Sequence, residues 1–138
     1  GVMNLEKLKF LTENMFNTDK HRFYWAASEL KLEKNIVRIL LNILILATQS
    51  VPRGGQIAIE IEEKSKQINL VISATGIKSK LDKQTEDALK GNMDSEELDG
   101  RIIQPFFTGM LINDLNGQIK AFETDKNIIF DISLPIDH

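Results

Sequence analysis

Cysteine is absent from the 138 residues. Disulfides and thiolate metal centres are therefore excluded, and the composition suits a reducing compartment. Histidine occurs only as His21 and His138, too sparsely for a Ser-His-Asp set or for the paired histidines of a zinc-protease helix. Charge of one sign is lacking as well. The net charge is −3 and lysines are interleaved with acids, which argues against the clustered basic face that nucleic acid requires. A membrane-length apolar run is also missing. Ile36 to Val51 is the most apolar stretch, but Arg38, Asn42 and Gln49 interrupt it, and it falls short of the roughly 20 residues a bilayer demands. A buried helix is expected there. The opening residues, GVMNLEKLKF, do not have the basic start, apolar run and cleavage site of a signal peptide, so a cytoplasmic location is expected.

What is present fits one soluble domain with a substantial core. The apolar fraction is 42% and the charged fraction 27%, both ordinary for a globular chain. LEKLKFLTENMF places Leu5, Leu8, Phe10, Leu11, Met15 and Phe16 at helical spacing, which predicts an amphipathic first helix. HRFYWAA reads as a strand. SELKLEKN leads into the long apolar helix, with Ser28 or Glu29 near its start. PRGG ends that helix, because proline cannot continue it and glycine permits the turn. QIAIEIEE and INLVISA, joined by KSKQ, alternate as a hairpin with one apolar face. A helix is expected around Leu81 to Leu89, and another starts close to Pro105, where proline is tolerated. Asn116-Gly117 closes it, and QIKAFET with NIIFDISLP makes a second hairpin. This order predicts a two-layer α/β sandwich, with helices on one face of a mixed, mostly antiparallel sheet.

With NILILATQSVPRGG and DLNGQIKAFETDKNIIFDISLP in place, the order resembles the Bergerat ATP-binding fold of histidine kinases from about residue 20 to 135. Asn42 matches the first asparagine of that family's helix motif, Ala47 its alanine, and Pro52, Gly54 and Gly55 its turn. Leu134 and Pro135 match the closing Leu-Pro. The resemblance implies a magnesium-associated asparagine where Leu46 stands, and Leu46 has no oxygen for a hard cation. It implies an adenine-reading aspartate where Ser73 or Ala74 stands, with Gly76 alone remaining of that motif. It implies phosphate-cradling glycines where Ile102 and Gln104 stand. Each lost polar recognition costs about 1–3 kcal/mol, so no nucleotide, cofactor or metal is expected in this cleft.

A family that keeps the shell without the site is similar in further details: the ChpT-like histidine phosphotransferases. HRFYW precedes the long helix, Arg38 leads RILLNILILATQSVPRGG, a short TG replaces the adenine motif, and ALKG precedes RIIQPFFTGMLINDLNGQI. That resemblance implies a dimer formed through an amino-terminal helical hairpin. The hairpin bears a phosphorylatable histidine, which exchanges phosphate with receiver aspartates. Neither His21, in a strand segment, nor His138, the last residue, matches the helical phosphoacceptor. Residues 1–19 are accordingly expected to form a helix that ends such a hairpin, and 20–138 the degenerate ATPase-like domain, with no catalytic residue of its own.

The other candidates resolve into simpler readings. His21 is expected as an exposed strand-edge residue and Trp25 as a core aromatic under the long helix. Asn42 is expected to serve structure. DSEELDG, Asp94 to Gly100, fails as a calcium loop because Leu98 and Asp99 stand where oxygen and glycine belong. GIKSK lacks the remainder of a P-loop. FFTGML, Phe106 to Leu111, is expected to pack on the sheet, with an exposed docking patch as the alternative, since helix neighbours about 100° apart allow one of the two phenylalanines to face outward. The expected function is receiver-domain docking in a phosphorelay, with Arg53, Lys78 and Lys80 as the candidate contacts and a homodimer allowed. The alternatives are a divergent nucleotide-binding kinase or ATPase, and a structural dimerisation module.

Overall fold

A computed structural model describes residues 1–27, 30–93, 96 and 99–136. The chain opens with a short strand, β1 (Val2–Asn4), and helix α1 (Leu5–Met15). The Asn4 side chain caps α1 by accepting the Lys7 backbone N–H at 2.8 Å, satisfying one of the free donors at a helix start. Leu5, Leu8 and Thr12 form its buried stripe, whereas Phe10 and Met15 are exposed. The apolar spacing in the sequence is thus wider than the face that packs.

Strand β2 (His21–Ala27) follows, then β3 (Lys31–Glu33), which pairs antiparallel with β1. This three-residue pairing was not expected, and it moves the long helix. Helix α2 runs Lys34–Ser50, with Glu33 at its N-cap position making no side-chain cap bond. It therefore starts later than the sequence suggests; Ser28 and Glu29 lie outside the described residues. LKLE has helical composition, but its pairing with β1 overrides that propensity. Ten α2 residues are buried, including Ile36, Ile39, Leu40, Ile43, Leu44 and Ala47. At the far end the Thr48 and Ser50 hydroxyls donate to the Ile45 and Ala47 carbonyls, so these buried polar groups are satisfied.

The chain then turns through Pro52–Gly55 into a hairpin of β4 (Gly55–Lys64) and β5 (Gln67–Thr75). Ser65 and Lys66 both take positive φ, 54° and 62°, the two-residue turn whose twist matches a β-ribbon. Helices α3 (Lys83–Leu89) and α4 (Ile103–Asp114) come next, then β6 (Gln118–Glu123) and β7 (Ile128–Pro135). Asn116, with φ 59°, ends α4, and the Gly117 N–H returns to the Ile112 carbonyl at 2.9 Å. Pro105 lies within the first turn of α4, where its missing N–H costs no intrahelical bond.

The main sheet has the order β2-β4-β5-β7-β6, with β2 parallel to β4 and the remaining neighbours antiparallel. Alternation decides what faces the helices. Ile57, Ile59 and Ile61 of β4, Leu70 and Ile72 of β5, and Phe130 and Ile132 of β7 join α2 in a single core. The reverse face carries Glu60, Ser73 and Asp131. The result is the two-layer sandwich with a mixed sheet. No helix among the described residues is long and apolar enough to cross a membrane.

Candidate functional site

The C-terminal half of α2, the segment after β5 and the start of α4 meet over the sheet and bring two of the aligned positions, Leu46 and Gln104, together. A cleft of about 410 Å³ lies there, lined among others by Leu46, Ser50, Lys80, Leu81, Arg101 and Gln104, with Phe130 as part of its floor. That volume suits a small ligand. Its chemistry depends on the lining.

Leu46 is 4% exposed and presents methyl groups one turn after Asn42. At the end of β5, Ala74 faces the core and is fully buried, while Ser73 points to the opposite sheet face and pairs with Ala58 and Ile129. The core-facing member of the pair thus carries only a methyl group and lies outside the cleft lining. Ile102, at the N-cap position of α4, is buried. Gly76 is retained for close packing, since a Cβ there would collide with the Gly54 carbonyl and crowd Val51. Gly54 itself has φ 98°, a conformation that favours glycine.

Two of the aligned positions bind one another. The Gln104 side-chain amide donates to the Asn42 Oδ1 at 3.1 Å and lies 3.2 Å from its carbonyl oxygen. Asn42 in turn donates from Nδ2 to the Arg38 carbonyl at 2.8 Å. An amide bridge therefore joins α2 to α4 across the edge of the cleft. Ahead of α4, the Asp99 carboxylate accepts the Arg101 backbone N–H at 2.8 Å. That bond, opposed by partial desolvation and aided by the Arg101 charge, holds the Asp99 carboxyl below the usual carboxylate range. The exposed Asp99 carboxylate thus occupies a backbone donor ahead of the helix start. The Leu81 N–H donates to Glu123, tying the segment before α3 to β6.

If the amide bridge holds α2 and α4 together, Gln104→Ala and Asn42→Ala will each lower stability by about 1 kcal/mol. The double variant will lose less than the sum of the two, because both remove the same bond. Urea unfolding of the four proteins measures this; strict additivity would mean the bridge carries no energy.

Of the expected contact candidates, Lys80 lines the cleft, and its backbone N–H donates to the Ser50 carbonyl at 2.9 Å. Arg53 and Lys78 are exposed and outside that lining. His21 corrects an expectation. It is 7% exposed, and its Nε2 lies 2.9 Å from the Val51 carbonyl oxygen. A carbonyl only accepts, so Nε2 carries the proton. The strand-edge position was expected; its tether to the end of α2 was not. Trp25 is half-buried against the core. His138 and most of the DSEELDG loop lie outside the described residues. Sequence reasoning missed the Asn42–Gln104 bond, whose partners are 62 positions apart. The available signal was the motif asparagine, Asn42, together with a second side-chain amide, Gln104, among the aligned positions.

The architecture defines the class. The mycobacterial sensor histidine kinase MprB matches over 98% of this chain and 96% of its own, at 15% identity and a TM-score of 0.70. A bacterial phosphotransferase structure matches over 95% of this chain and 64% of its own, at 24% identity and a TM-score of 0.83. The chain has the histidine-kinase ATPase-like fold.

Within that class, residues 5–127 match the model of the histidine phosphotransferase C-terminal domain, and the chain belongs to that family. A curated relative, the protein phosphotransferase ChpT of Brucella abortus, is 28% identical over 115 residues, which are 83% of this chain and 55% of ChpT. The chain thus spans about half the length of that relative.

Proposed function

We propose that this chain is a pseudo-ATPase domain that helps a histidine phosphotransferase dock the receiver domain of a response regulator. The reading places it in a cytoplasmic phosphorelay, without nucleotide, metal or catalytic residue of its own. The observation that carries it is the chemistry of the three aligned positions. Leu46 in the cleft wall, and Ala74 and Ile102 buried outside that lining, put hydrocarbon where the resemblance calls for groups that meet metal, adenine and phosphate, and Gln104 engages Asn42. Family membership supports the phosphotransfer context. Phosphate acceptance belongs to another segment in this reading, because His21 is only 7% exposed and does not offer its ring to a receiver aspartate. Residues 1–19 would then complete a helical hairpin that supplies the acceptor histidine and can form a homodimer.

The test is calorimetric titration with a non-hydrolysable ATP analogue and magnesium. No saturable heat is expected at millimolar ligand. Saturable binding, accompanied by a raised melting temperature, would establish instead a divergent nucleotide site built from other groups.

A further inference from the structure

Helix α4 has an exposed face that the fold does not use. Ile103, Phe107 and Met110 are 56%, 52% and 47% exposed. At 100° per residue they fall within a wedge of roughly 60°. Pro105, Thr108 and Ile112, the buried residues of α4, lie on the opposite side. The helix has one charged residue in twelve, Asp114. Helix α1 also exposes two large apolar residues, but Glu6, Lys7, Lys9 and Glu13 are interspersed along it, as on an ordinary solvated helix. The α4 face adjoins a groove of about 590 Å³ between α3, α4 and β6, whose lining includes Leu89, Met93, Phe106 and Met110 and whose rim includes Lys90 and Lys120. Met110 belongs to both surfaces, so stripe and groove form one continuous patch.

We propose that the receiver domain docks on this α4 face, placing an apolar side chain in the α4–β6 groove, and not over the cleft flanked by Arg53 and Lys80. The inference rests on the receiver-docking reading above and names its surface. Size selects the occupant. Ile103, Phe107 and the residues that line the groove are fewer than the roughly 20–30 residues a side of a standard stable interface, which disfavours a second copy held through this face. A small apolar patch suits a partner that must leave after each transfer, since phosphate moves on only when one receiver gives way to the next. Exposed apolar contact also yields affinity without a fixed charge pattern, as suits a surface shared by successive partners.

The experiment uses the isotope-labelled 138-residue chain and individually purified receiver domains of response regulators, with amide shifts recorded on titration. Shifts are expected along α4 and β6. Phe107→Glu, and independently Met110→Lys, should weaken binding by at least roughly tenfold, while Lys80→Glu should change it by less than about threefold. Both α4 substitutions are at exposed sites, and an unchanged melting temperature confirms that each variant is folded. Shifts centred on Arg53, Lys78 and Lys80, with Phe107→Glu binding normally, would overturn the α4 surface and leave receiver docking intact. Binding by no receiver would overturn both. A concentration-dependent dimer that Phe107→Glu dissociates would assign the face to a second copy and overturn the proposal.

Discussion

Phe130→Ala is expected to destabilise the domain by about 3–5 kcal/mol, the range for emptying a large buried aromatic site. Phe130 is fully buried in β7, paired with Ile72 of β5 and Ala121 of β6. It belongs to the core beneath α2 and also to the floor of the cleft. Two neighbouring strands hold its backbone, so the sheet cannot close over the vacated space. Phe130→Leu fills most of the volume and should cost about 1 kcal/mol. Urea unfolding with an unchanged denaturant slope isolates the effect. A loss below about 1.5 kcal/mol for the alanine variant would mean that the site collapses readily and the floor is soft.

Gly109→Ala should also destabilise, against the usual sign. In an exposed helix interior, alanine is better than glycine by about 1 kcal/mol. Here a Cβ at position 109 would collide with the Leu89 carbonyl oxygen and come within 2.9 Å of its carbonyl carbon. The obstacle is backbone at the end of α3, so no rotamer change relieves it, and α3 must withdraw from α4. A net loss of about 1–3 kcal/mol is expected, the range for overpacking. Thermal melts decide the matter: a higher melting temperature for Gly109→Ala would show that the two helices are not in backbone contact. Glycine ordinarily weakens a helix interior, yet at position 109 its missing side chain lets a second helix approach.

The sequence displays the strong periodicities well. Helix α2 and the two hairpins combine long apolar patterns with decisive turn residues, and apart from the later start of α2 each is found where those signals place it. Short pairings are different. β1 and β3 have three residues each, too few for alternation to be distinguished from helix, and LKLE was absorbed into the helix that follows. His21 illustrates another gap. Its strand could be read from composition, but its burial depends on the distant Val51 carbonyl, which no local pattern encodes. That apolar residues, Leu46 and Ala74, stand at two of the aligned positions was legible in the sequence. How Asn42 and Gln104 use the space was not, because it requires α2 and α4 to be side by side.

That amide bridge has a consequence for how the two helices are kept in place. A ligand spanning α2 and α4 would hold them only in proportion to its concentration, and their spacing would follow the supply of that metabolite. Asn42 and Gln104 are tethered through the same polypeptide, so each meets the other at a fixed effective concentration. Their bond is made or broken by an intramolecular equilibrium alone, and dilution or depletion of any small molecule leaves that equilibrium unchanged.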